Sequence, residues 1–157
     1  MHGCPCGFHG DPTRECRCTP GIIQRYLSKI SGPMLDRIDL HIEVPAVPYK
    51  ALRAAEAATS SEQFRQRVEA ARQRQRARGF YNADIPSAHL RGHCGLDEAG
   101  ERTLEMAVRR MGLSARAHDR ILKVARTIAD LDGREQIGAK PLAEAVQYRS
   151  LDRTYWN

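Results

Sequence analysis

Apolar residues fall on two different periods along this chain. In the stretch MLDRIDLHIEV, Ile38, Leu40, Ile42 and Val44 alternate with polar positions, and a period of two predicts a short half-buried strand over 38–44. Pro45 and Pro48 prevent its extension. Elsewhere the spacing is three and four. Ile22, Ile23, Tyr26, Leu27 and Ile30 follow Thr19 and Pro20, which predicts a helix capped by Thr19 and ended by Ser31, Gly32 and Pro33. Residues 60–79 open on a serine cap and close on Gly79. Their apolar face is thin, limited to Phe64, Val68 and Ala71, so a weakly packed helix is expected.

The C-terminal part is more regular. A helix over 97–111 aligns Leu104, Ala107, Val108 and Met111. A second over 114–131 aligns Ala117, Ile121, Val124, Ala125, Ile128 and Leu131, and a third near 140–150 carries Leu142, Ala145 and Val146. Gly112 and Gly133 punctuate them. Three amphipathic helices with short connections predict an antiparallel bundle, and the fold class is mainly α. Residues 80–95 read as a linker. No internal repeat or low-complexity tract is present.

No run approaches the roughly 20 apolar residues a membrane span needs, so no membrane partner is expected and the expected location is the cytoplasm. A formal charge of +6, from 25 Lys and Arg against 19 Asp and Glu, favours polyanionic partners. Four of the five cysteines lie within fifteen residues, as Cys4-x-Cys6 and Cys16-x-Cys18. In a reducing compartment such a cluster points to metal rather than disulfides. Four thiolates can close a tetrahedral Zn²⁺ shell, with Gly7, Gly10, Asp11 and Pro12 turning the chain back between the pairs. The usual structural pairs are spaced by two to four residues, so free or oxidised thiols stay open as alternatives. His89, His93 and Cys94 lack a matching partner pair and read as solvated linker residues.

Three arginine sites carry the candidate chemistry. Arg37 sits between Asp36 and Asp39 at the mouth of the strand, where a surface ion pair is worth about 0–1 kcal/mol. Arg116 falls in the first turn of a helix capped by Ser114, and there a cation opposes the macrodipole by a few tenths of a kcal/mol. A nearby anion relieves that cost; pairing with Asp119 is the plainer reading. Arg65, Arg67, Arg72, Arg74, Arg76 and Arg78 make the 60–79 helix basic, which fits either a solvated face or a phosphate-contacting one.

Taken together, CPCGFHGDPTRECRCTPGIIQRYLSKISGPMLDRIDLHIEVPAV and LSARAHDRILKVARTIADLDG closely resemble the C-terminal portion of the Mg-chelatase-like AAA+ ATPases, the YifB/ComM competence family. The resemblance runs over nearly the whole chain. It implies a homo-hexameric ATP-driven motor related to the magnesium chelatase ATPase subunit and to the MCM helicases, with a competence branch regarded as a DNA helicase promoting branch migration. Under it Arg37 matches the arginine finger and Arg116 the sensor-2 arginine, and residues 60–79 match a helix inserted ahead of sensor 2. The family's Asn-Pro pair is replaced by His2 and Gly3, so no sensor-1 residue is assigned.

The resemblance divides the chain into a Cys-rich segment (1–18), a remnant of the α/β AAA+ core (19–55), a basic helix with linker (56–87) and a helical lid (88–157). Its implied partners are the N-terminal AAA+ region of the same protein, neighbouring subunits and DNA. ATP and Mg²⁺ are cofactors of the parent, because the sequence contains no G-x-x-x-x-G-K-[ST] loop. This chain alone is expected not to hydrolyse ATP. Without the sheet that its strand would complete, residues 1 to about 55 are expected to be disordered or to pack differently. The rival expectation is a stand-alone zinc-stabilised nucleic-acid-binding module using Arg65, Arg72, Arg74, Arg76 and Arg78.

Overall fold

A computed structural model describes residues 2–44, 47, 49, 53 and 59–149. The chain divides into two compact units, one of Met1–Glu56 with Leu151–Asn157, the other Ala57–Ser150.

In the first unit, Pro20 at the first helical position starts α1, Pro20–Leu27, as expected from its fixed φ. Thr19 occupies the cap position without making the side-chain cap bond. Helix α2, Gly32–Leu35, is a single turn. The strand expected over 38–44 does not form, and no strand is present among the described residues. Ile38, Leu40, Ile42 and Val44 are instead 39–83% exposed. An alternating pattern makes a strand only when a neighbour accepts its backbone hydrogen bonds and covers one face. Pro45 and Pro48 lie outside the described residues.

The second unit is built from α3 (Ser61–Ala77), a one-turn α4 (Leu90–His93), α5 (Glu98–Met111), α6 (Ala115–Leu131) and α7 (Ala139–Gln147). Side-chain caps set three of these starts. Ser60 forms a reciprocal capping box with Gln63, Asp97 accepts from the Gly100 amide at 2.7 Å, and Ser114 accepts from the Ala117 amide at 3.1 Å. Gly112 ends α5 in the left-handed region, at φ 60°. Helix α7 packs on both α5 and α6, while α6 also carries α3 and the turn Asn82–Asp84. Among the described residues, no helix is long and apolar enough to cross a membrane.

The expected helical stripes supply much of the core: Leu104, Ile121, Ala125, Leu142 and Ala145 are buried. Ile85, Leu90 and Cys94 join them. Residues 80–95 therefore do not behave as a linker. Two short turns and α4 fold this segment onto α6, where each buried aliphatic side chain contributes about 1.5–3 kcal/mol. Conversely, Phe64 and Val68 of α3 stay half-exposed, and only Ala71 and Gln75 of that helix are buried.

A close approach fixes the entry to α5. Leu96 and Ile137 form an isolated parallel bridge, with the Ile137 amide donating to the Gly95 carbonyl at 3.1 Å. A Cβ on Gly100 would lie 2.9 Å from the Ile137 carbonyl oxygen. Alanine ordinarily gains up to about 1 kcal/mol over glycine in a helix. Here overpacking against backbone, at about 1–3 kcal/mol, outweighs it. Gly100→Ala is thus expected to lower the urea unfolding midpoint; an unchanged or raised midpoint would show that the approach is not limiting.

Candidate metal centre and arginine sites

Residues 2–18 are shaped by turns rather than by apolar burial. The Gly7 amide donates to the Cys4 carbonyl at 3.2 Å and the Asp11 amide to the Phe8 carbonyl at 3.1 Å. Gly7 and Gly10 take positive φ, 85° and 81°, which glycine adopts at no steric cost. One Asp11 carboxylate oxygen accepts from the Thr13 amide and hydroxyl, both at 2.7 Å, and from the Arg14 amide at 3.1 Å. This Asx turn reverses the chain, and the Arg14 guanidinium lies 5.1 Å over the Phe8 ring.

The reversal brings the two cysteine pairs together. Sγ separations are 3.3 Å for Cys4 and Cys6, 3.7 Å for Cys4 and Cys16 and 3.6 Å for Cys6 and Cys16. All four sulfurs, that of Cys18 included, lie within 4.8 Å of one another. Backbone hydrogen bonding at Phe8, then the neighbouring Cys4 thiol, holds Cys6 down at about 6. The fifth cysteine stands apart: burial pushes the Cys94 thiol up to about 11 and seals it in the helical core. His89 and His93 pack with Phe80 in an aromatic cluster, their rings 6.2 Å apart. Neither joins the thiol group.

Arg37 lies just beyond α2, in a turn made by its amide donating to the Met34 carbonyl at 3.1 Å, and is exposed. Arg116 is the second residue of α6, exposed, while Ala117 beside it is buried. His118 Nδ1 sits 3.2 Å from Asp119. The two arginines belong to different units.

The basic helix is divided in its roles. Arg65, Arg72 and Arg76 are exposed; Arg72 covers the Tyr81 ring at 4.6 Å, and Arg76 pairs with Glu69 at 2.9 Å. Arg74 and Arg78 turn instead to the C-terminal end of α6. Arg74 Nη1 donates to the Asp130 carbonyl at 3.2 Å, a favourable place for a cation. Arg78 donates through Nη1 at 2.8 Å and through Nη2 to the Asp130 carboxylate.

That carboxylate is the centre of a buried polar network that periodicity alone did not reveal. Asn82 Nδ2 donates to it at 2.8 Å and Arg126 Nη2 pairs with it at 3.2 Å. The other Arg126 contacts are to the Glu135 and Arg134 carbonyls, both at 2.5 Å. Arg126 and Asp130 are 1% and 0% exposed. Burial disfavours the Arg126 charge, and Asp130 acts against that effect. The available signal was the i, i+4 spacing of Arg126 and Asp130 on the buried Leu122 stripe of this amphipathic helix.

Comparison with known proteins covers both halves of the chain. Residues 58–149 match the model of the magnesium chelatase subunit ChlI C-terminal family, and residues 1–52 match the magnesium chelatase subunit ChlI model. The competence protein ComM of Haemophilus influenzae is 45% identical over 139 residues, covering 87% of this chain and 27% of that protein. Protein YifB of Escherichia coli is also 45% identical over 139 residues, covering 28% of its length. A Mycobacterium tuberculosis protein is 40% identical over 151 residues, covering 29% of it. The chain thus spans less than a third of the curated relatives it matches. With more than half of its length, residues 58–149, matched by one model and residues 1–52 by the companion model, this chain belongs to the magnesium chelatase ChlI C-terminal family.

Proposed function

We propose that this chain is the C-terminal part of a hexameric, ATP-driven motor acting on DNA, in which it contributes two phosphate-facing arginines. The observation that carries the reading is Arg116, an exposed guanidinium on the first turn of a Ser114-capped helix. Amides at that end favour anions and the macrodipole disfavours a cation, so an arginine there is best placed when a phosphate lies between them. Arg116 would contact nucleotide bound in its own subunit. Arg37, in the other unit, would reach nucleotide bound in a neighbouring subunit. ATP and Mg²⁺ would be held by the region of the parent bearing the phosphate loop. That region supplies the phosphoryl chemistry, and this chain supplies charge and position.

The name of the H. influenzae relative, a competence protein, supports DNA as the substrate. Arg65, Arg67, Arg72 and Arg76 are exposed arginines of the basic helix that could reach its backbone. The stand-alone module is the weaker reading, because Arg74 and Arg78 are engaged with Asp130.

The test is hydrolysis by the full-length parent and by this chain alone. The isolated chain is expected to show no ATPase. Arg116→Ala in the parent should lower nucleotide affinity at least tenfold, about 1.4 kcal/mol, with unfolding unchanged. Wild-type affinity in that variant would remove Arg116 from the site. Strong, steeply salt-dependent DNA binding by the isolated chain would favour the module instead.

A further inference from the structure

We propose that Cys4, Cys6, Cys16 and Cys18 hold one Zn²⁺ ion that takes the place of a hydrophobic core for residues 2–18 and fixes the start of α1. This goes beyond the motor reading and does not depend on it.

The first observation is the distribution of burial. Of residues 2–44, Cys4 alone is buried, and neither α1 nor α2 has a buried residue. Turn hydrogen bonds order this segment, yet each net bond contributes only about 0.5–1.5 kcal/mol. Fixing one residue's backbone costs about 1–2 kcal/mol. Turns without a core therefore do not hold themselves together. A short segment of this composition folds when a metal supplies the missing free energy, about 10–16 kcal/mol for structural zinc.

The second observation is the size of the sulfur group. Zn–S bonds of about 2.3 Å in a tetrahedron place ligand sulfurs about 3.8 Å apart. The separations of 3.3, 3.6 and 3.7 Å, and the 4.8 Å limit for the set, bracket that edge. An iron–sulfur cluster interposes several iron and sulfide atoms and spreads its cysteines further than this set allows. Four soft thiolates around one tetrahedral ion select zinc over Mg²⁺ or Ca²⁺.

The third is connectivity. Cys18 is bonded directly to Thr19, the cap position of α1, and Thr19 makes no side-chain cap bond. A ligand one residue ahead of an uncapped helix start fixes the entry that the cap leaves loose.

The experiment uses the whole chain, purified reduced and without chelator. Elemental analysis should find about one zinc per chain, and Cys16→Ser with Cys18→Ser should reduce it at least about fivefold. Cys94→Ser, outside the cluster, should leave it unchanged. Because the double variant removes ligands and folding together, tryptic cleavage after the exposed Arg14 and Arg17 gives a second measurement. In the wild-type chain, a strong chelator should accelerate that cleavage at least tenfold, and added zinc should reverse it. Less than half an equivalent of zinc in the reduced chain would overturn the proposal. So would disulfides among these four cysteines in the reduced preparation, zinc retained by the double variant, or cleavage indifferent to chelation.

Discussion

Asp130→Ala is expected to destabilise the Ala57–Ser150 unit by about 3–5 kcal/mol, the cost of leaving a buried ion without its partner. The carboxylate has no solvent exposure and receives Arg78, Arg126 and Asn82. Truncation strands Arg126, itself 1% exposed, and cuts the ties of Arg78 and Asn82. Since a domain's whole stability is about 5–15 kcal/mol, the variant should be largely unfolded at moderate urea.

The comparison with Arg76→Ala shows that burial sets the size of the effect. Arg76 and Glu69 also form an ion pair, at 2.9 Å, but their side chains are 57% and 52% exposed. Water replaces such a partner, so that substitution should cost under about 1 kcal/mol. Arg78→Ala should fall between the two, since Arg126 and Asn82 remain on the carboxylate. Urea titration followed by far-ultraviolet circular dichroism reads all three. Equal midpoints for Asp130→Ala and Arg76→Ala would refute a structural role for the network.

The same network marks where sequence reading stops. Caps and periodicity located the helices, because both are local: Ser60, Asp97 and Ser114 bond within three residues of themselves. The mainly α class followed from those helices. Tertiary choices were not legible. Arg126 and Asp130 look like surface charges until the fold buries them together and Arg78, 52 residues away from Asp130, donates to the same carboxylate. Residues 80–95 look like a linker because their apolar positions, Phe80, Ile85 and Leu90, follow no single period. Packing on α6 comes from two irregular turns and α4 instead. The strand over 38–44 failed for the opposite reason: its pattern was sound, but no neighbouring strand is present among the described residues. The cysteine spacing located the thiol group. Its closure depended on glycine turns and the Asp11 bonds.

Arg37→Ala in the full-length assembly is expected to lower ATP hydrolysis by about 10³-fold or more, the range set by guanidinium groups that act across an interface on phosphoryl transfer. The prediction rests on the proposed motor. Arg37 is exposed on a turn that follows a one-turn helix. Its removal should therefore leave unfolding and nucleotide affinity nearly unchanged, whereas Arg116→Ala should weaken nucleotide binding. A planar, always-charged fork suits a transferring phosphoryl group, and lysine does not reproduce it, so Arg37→Lys should recover little activity. Mixing distinguishes action in trans from action within one subunit. Arg37→Ala subunits keep their own phosphate loop, and subunits with a disabled loop keep Arg37. In a ring of head-to-tail contacts, random mixing at equal amounts makes about one quarter of interfaces competent. Two nearly inactive proteins should then recover activity on mixing. Full hydrolysis by Arg37→Ala would dismiss the finger, and failure of the mixture to recover would place its action within its own subunit.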